Sequence, residues 1–263
     1  VNLRGGMALI GRTWASWMQY RSFFFLLAFG WMIPPLMYLF VWTSVVGDGT
    51  LNGQTRAGFV AYYLVLILVN QITYSQTNWT VGDMIREGLI TPWLLRPMAV
   101  VFNVLSSELA GKVVYMVFTT PVAIILALVL HPRLETTPGQ VGLFFISLLL
   151  AWGLRFFWGL WLAMLAFWAT RADALLALQD ALVFLLAGMV APVGLLPGFL
   201  QGLARVLPFR YMVGFPVEVL TGQVSGSQLV LGFAVQAGWL AVALALSAWV
   251  WNRGVRHYSA VGG

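Results

Sequence analysis

Long apolar runs separated by short polar stretches organise this chain. Six of them approach the roughly 20 residues that a helix needs to cross a hydrocarbon core of about 30 Å. They predict membrane spans at residues 23–46, 57–78, 100–130, 141–168, 174–190 and 229–251. The first run contains Pro34-Pro35, which should kink it by removing a backbone donor, and it ends at Gly47-Asp48-Gly49. The second loses its apolar character after Val69, where Asn70, Gln71, Thr73 and Gln76 appear, so its second half should face protein or water. The third begins as an amphipathic piece, carries Pro121, a candidate bend, and is stopped by His131-Pro132-Arg133. The link Ala169-Thr170-Arg171-Ala172-Asp173 is short enough to make the fourth and fifth spans antiparallel neighbours. Beyond the fifth, Pro192, Gly194, Pro197 and Gly198 break the helix while the residues around them stay apolar. This predicts a short piece at 198–206 that lies in the interface or re-enters the membrane, and a second at about 214–220.

Composition places these runs in lipid. The chain is 61% hydrophobic and 8% charged, against about 25% charged in soluble domains. Its net charge of +6 does not point to nucleic acid, because the arginines stand singly between apolar runs and build no basic stripe. Topology accounts for them better. With the amino terminus in the cytoplasm, Arg4, Arg12, Arg21, Arg86, Arg96, Lys112, Arg171, Arg253 and Arg256 fall inside, and Arg56, Arg133, Arg205 and Arg210 outside. Both termini are thus expected in the cytoplasm, a parity that six crossings satisfy. The first run is too long for a secretory signal and lacks a small-residue cleavage pattern, so it reads as an uncleaved span. There is no cysteine, and His131 and His257 lie near opposite ends of different segments, so no metal site is expected.

Charges within the spans are costly and mark candidate sites. Arg155 lies about 20 Å from either end of the fourth span, too deep to snorkel easily, and Asp180 about 10 Å into the fifth. They can form a structural pair; alternatively Arg155 contacts an anionic substrate or a partner membrane chain. Trp152, Phe156, Phe157, Trp158 and Trp161 surround Arg155 in sequence and either line a path or pack against neighbours and lipid. Glu108 and Lys112 share a helix face and can pair, acid first. The only lysine, Lys112, is followed by valine and has Ser106 where the first glycine of G-x-x-x-x-G-K-[ST] should stand. ATP hydrolysis on a P-loop is therefore not expected of this chain, and an active pump would need its motor in another polypeptide.

The link between the second and third spans, residues 81–97, mixes charge with large apolar side chains. It can form a surface helix presenting Met84, Ile85, Leu89 and Ile90 on one side, either to a partner or to lipid headgroups. Within it, Ile85-Arg86-Glu87-Gly88-Leu89-Ile90-Thr91-Pro92-Trp93-Leu94-Leu95-Arg96-Pro97 resembles the G-x-(aliphatic)-x-x-x-L-L-R-P segment of permease subunits of type-two ATP-binding-cassette exporters. Leu207-Pro208-Phe209-Arg210-Tyr211 and Phe215-Pro216-Val217-Glu218-Val219-Leu220-Thr221-Gly222 resemble that family's outer L-P-F-x-Y … P-x-x-x-L-x-G segment. Ile90-Thr91-Pro92 departs from the family pattern, which has an acidic residue and no proline there.

The resemblance implies an all-α membrane protein, with an N-terminal interfacial helix, six transmembrane helices and a single permease domain over residues 1–263. It implies a cytoplasmic coupling helix in which Met84, Ile85, Arg86, Glu87, Gly88, Leu89 and Ile90 meet a separate ATPase. It implies a re-entrant hairpin over residues 192–220, including Pro192, Pro197, Pro208, Tyr211, Pro216 and Glu218, between the fifth and sixth spans. The candidate substrate path comprises Arg155, Trp152, Phe156 and Asp180. The expected assembly holds two ATPase subunits carrying ATP and Mg, and a second permease chain, identical or homologous, in a bacterial cytoplasmic membrane. The cargo expected is an amphipathic drug-like or lipid-like compound. The competing reading, an ion- or proton-coupled secondary transporter, would draw on Asp180 and Glu108 as embedded acids. An intramembrane enzyme is disfavoured because no Asp, Ser and His cluster forms in the spans.

Overall fold

The computed structural model describes residues 11, 14, 15, 18, 19, 21–95, 100–134, 136–169 and 171–258. Most of the expected N-terminal interfacial helix, and Arg96 and Pro97 of the link, lie outside them. Helix dominates: α1 (Arg21–Val46), α2 (Arg56–Thr73), α3 (Thr77–Arg86), α4 (Thr91–Leu94), α5 (Val100–Leu130), α6 (Pro138–Met164), α7 (Asp173–Leu186), α8 (Gly198–Val206), α9 (Phe209–Met212), α10 (Gly214–Leu220) and α11 (Gly226–His257). Two-residue strands β1 (Thr50–Leu51) and β2 (Gln54–Thr55) form a hairpin between α1 and α2. Local chemistry sets several boundaries. Thr137 and Gln140 form a reciprocal capping box with Pro138 at the first turn of α6, and the Thr55 hydroxyl accepts from Gly58 N to open α2.

Among the described residues, five helical segments are long and apolar enough to cross a membrane: Phe29–Val46, Arg56–Arg86, Val100–Leu130, Pro138–Phe167 and Gly226–His257. The expected span at 174–190 is the exception, because α7 ends at Leu186 after 14 residues, about 21 Å of helix. It ends there because Gly188, at φ +81°, turns the chain aside. The expected second helix at 57–78 is likewise two helices, α2 and α3, separated at residues 74–76. The last span exceeds its expected 229–251 because helix continues through the polar ends of the apolar run. The fourth reaches from Pro138 and closes in a 3-10 turn, Leu165–Phe167. Pro34, Pro35 and Pro121 lie inside continuous helices, α1 and α5.

Helix α2 is buried on almost every face and forms the centre of the bundle. Trp42 against Phe59 and Trp31 against Tyr74 set α1 antiparallel to it. Arg133 N bonding to Ala57 O, and Gln71 bonding to Thr119, set α5 antiparallel as well. Helices α6 and α11 run parallel: Ser147 meets Gln236, Phe157 O accepts from Ser247, and Phe167 abuts Gly254. The chain between them must therefore return from one end of the bundle to the other. Helix α7 carries most of that return, from Asp173 beside Arg86 to Gly188 beside Tyr62.

Residues 198–220 then fold back on themselves. Gln201 bonds to the carbonyls of Gly194 and Leu196 near the entry to α8, while Val206 O at its far end accepts from Trp239 Nε1 at 2.9 Å. The return climbs α11 in the opposite sense, with Tyr211 O on Gln236, Phe215 on Phe233, and Leu220 O accepting from Thr136 at the start of α6. Phe209, at the turn, packs on Trp158 in the body of α6.

Candidate functional site

At the end of the bundle where α3 emerges, the link reverses direction at Gly88, whose φ of +74° is open to glycine. That reversal splits the expected face. Ile85 and Ile90 turn inward, at 3% and 2% exposure, into a cluster with Val81, Leu160 and Met164, and Met84 is half-buried. Asp83, Glu87, Leu89, Pro92 and Leu95 are the residues left exposed on 81–95. The four apolar residues do not share one outward side, because a turn rather than continuous helix connects them. Arg86 ties the link to the fold, pairing with Asp83 and reaching Asp173 of α7 at 3.4 Å. Thr91 Oγ1 lies 2.8 Å from the Tyr258 hydroxyl beyond α11.

A buried polar layer surrounds the gap between α2 and α3. Arg155, 4% exposed, donates from Nη1 to Asn70 Oδ1 at 2.8 Å and Thr73 Oγ1 at 3.2 Å, and its Nη2 lies 3.7 Å from Asp180 Oδ1. Its guanidinium sits over the Tyr74 ring, 5.1 Å from the centroid. Arg155 and Asp180 therefore form an ion pair, despite the different depths that span counting assigns them. Trp152 is half-buried on α6, and Phe156, fully buried, packs its ring against Trp152 and Phe157. Phe156 O accepts from Asn78 Nδ2, which joins α3 to the same layer.

Glu108 supplies what α3 lacks. Gln76, at the N-cap, makes no side-chain cap, yet Glu108 Oε2 on α5 accepts from Ser75 Oγ at 3.1 Å and Thr77 N at 3.4 Å. A carboxylate at a helix start satisfies an orphan donor and complements the dipole. Its other oxygen is 2.7 Å from Lys112 Nζ. Sequence reading found the Glu108–Lys112 pair but not this cap, nor Asn70, Thr73 and Tyr74 as the surroundings of Arg155. The polar run after Val69 was the available signal.

At the opposite end, the carbonyls left open where α7 stops are closed from elsewhere in the bundle. Tyr62 donates to Gly188 O at 3.0 Å, and Tyr63 and Trp42 donate to Val190 O at 3.1 and 2.8 Å. In hydrocarbon such closure is required wherever a helix breaks. Pro192 is buried beside the break, Pro197 caps α8 from an exposed position, and Pro208 and Pro216 are buried at the turn and in α10. The Tyr211 hydroxyl donates to Arg205 O at 2.7 Å. Arg210 Nε lies 3.1 Å from both oxygens of Glu218, and its Nη2 also pairs with that carboxylate.

The site thus has three parts: an exposed acidic and apolar link at one end, a buried ionic layer at a helix break, and an inward fold at the other end. Residues 29–262 match the sequence family described as ABC-2 family transporter protein. No curated protein matches the chain.

Proposed function

The chain belongs to the ABC-2 family of transporter proteins, and from that premise we propose that it is the permease subunit of an ATP-binding-cassette exporter, forming the substrate path while a separate ATPase supplies energy. It is an integral membrane protein and a transport component rather than a catalyst. In this reading the link at residues 81–95 is the coupling segment, and it docks a cytoplasmic ATPase through Glu87, Leu89 and the exposed residues beside them.

The observation that carries the reading is the break between α2 and α3. Movement of the link is transmitted by α3 to a junction held by Glu108, next to a layer held by Arg155 and Asp180. A short helix hinged in the bundle is the element on which nucleotide-driven closure of an ATPase can act.

Six crossings with both termini in the cytoplasm are supported by the parallel packing of α6 on α11, which needs a return crossing between them. The closed carbonyls at Gly188 and Val190 support a fifth span completed by non-helical backbone. The inward course of residues 198–220 supports a re-entrant hairpin near the outer exit. A second permease fits the exposed Leu175, Leu178 and Leu185 of α7 and Ile33, Met37 and Phe40 of α1, and the complex carries two ATPases. An amphipathic cargo and a bacterial cytoplasmic membrane complete the reading.

The proton-coupled alternative is not favoured. Its two candidate acids, Glu108 and Asp180, each face a basic partner. The test is purification of the tagged chain from its native membrane under mild detergent. An ATPase subunit in stoichiometric amount is expected, and transport that collapses with the proton gradient at constant ATP would contradict the proposal.

A further inference from the structure

A cavity of about 570 Å³ opens at the end of the bundle carrying the β1–β2 hairpin. Its walls come from elements far apart in sequence: Arg133 from the α5–α6 connection, Arg205 from the end of α8, Arg210 from α9 and Glu218 from α10. Three guanidiniums therefore face one carboxylate among the described residues, and Arg210 occupies that carboxylate. Neither Arg133 nor Arg205 forms an ion pair with a described acid. Arg205 reaches only Gln201 Oε1, at 3.5 Å, while its backbone is fixed by the Tyr211 hydroxyl.

The other character of the cavity is apolar. Leu134 and Leu231 line it and are 48% and 65% exposed, so the basic wall is continuous with exposed apolar surface. A concave wall with uncompensated guanidiniums concentrates anions, and the guanidinium fork matches phosphate oxygens two at a time. A ligand that satisfies both walls carries a phosphate head and a hydrocarbon tail.

We propose that this cavity binds the phosphate headgroup of a lipid-like amphiphile, with Arg133 and Arg205 as its anion contacts and Leu134 and Leu231 beside its chain. The Arg210–Glu218 pair keeps the deep wall rigid and spares the other two arginines. That the occupant is the exported compound rests on the permease reading; that the cavity binds it does not.

The test uses the purified full chain in neutral detergent, titrated calorimetrically with dihexanoyl phosphatidic acid, dihexanoyl phosphatidylcholine and inorganic phosphate. Phosphatidic acid is expected to bind about tenfold more tightly than phosphatidylcholine, with affinity falling as salt rises. The R133Q/R205Q variant should lose that preference, whereas R133K/R205K should keep most of it. Both arginines are exposed, so an unchanged unfolding temperature is expected and shows that the loss is local. A preference that survives R133Q/R205Q would overturn the proposal, as would equal binding of the two lipids. Inorganic phosphate binding as tightly as phosphatidic acid would overturn the amphiphile and leave a free-anion site. Recovery of an ATPase with the chain is a separate readout, so failure here and failure of the permease reading are distinguishable.

Discussion

Glu108 lies on α5 and Ser75 in the gap between α2 and α3, and the hydrogen bond between them, 3.1 Å from hydroxyl to carboxylate, closes the start of a helix that has no cap of its own. The same carboxylate neutralises Lys112. Replacing Glu108 with alanine removes the cap and leaves a buried ammonium unpaired, an expected loss of about 3 kcal/mol. E108Q keeps an acceptor for Ser75 and Thr77 and should lose less. Denaturant unfolding in detergent should rank the chain wild type, E108Q, E108A in falling stability; equal midpoints would contradict the cap.

The Arg155 layer makes a sharper demand on side-chain shape. One nitrogen serves Asn70 and Thr73 while the other faces Asp180, which a guanidinium fork can do and an ammonium cannot. R155K is therefore expected to destabilise nearly as much as R155M. A double-mutant cycle with D180N should give a coupling energy on the order of 1 kcal/mol or more. Additive losses would show that the pair contributes nothing as a pair.

Closure of the broken end of α7 predicts a third pattern. Y62F removes one donor to Gly188 O and should cost about 1 kcal/mol. G188A should cost more, because its φ of +81° is strained for alanine and the new methyl group would meet the Tyr62 hydroxyl. Thermal unfolding that ranks the two the other way would contradict this account of the break.

The link separates stability from partnership. Leu89 is 54% exposed and Ile85 is 3% exposed. L89D is expected to leave the unfolding temperature within error and to reduce recovery of the ATPase, while I85D should destabilise the chain itself. Both effects can be read from one affinity purification and one melting curve.

Some of these relationships were legible in the sequence and others were not, for identifiable reasons. Periodicity and length gave a helix over 100–130, which α5 follows among the described residues, because its apolar half from 113 onward needs no tertiary help. Proline and glycine spacing marked the break after the fifth run. The gap at Tyr74-Ser75-Gln76 contains neither breaker, and what holds it open is a carboxylate thirty-odd positions away in the chain. Arg155 and Asp180 announced themselves as charges in lipid, but their neutral partners Asn70 and Thr73 did not. The inward turn of Ile85 and Ile90 depends on a positive φ at Gly88, which helical spacing across that residue could not anticipate.

The most direct measurement places a photo-crosslinking amino acid at position 89 and, in a second variant, at position 203, which is exposed on α8 at the other end of the bundle. In intact membranes the account predicts an adduct with an ATPase subunit from position 89 that increases or decreases when nucleotide is trapped, and none from position 203. The absence of any ATPase adduct at position 89, with both variants expressed and folded, would contradict the claim that this chain is the permease of an ATP-driven exporter.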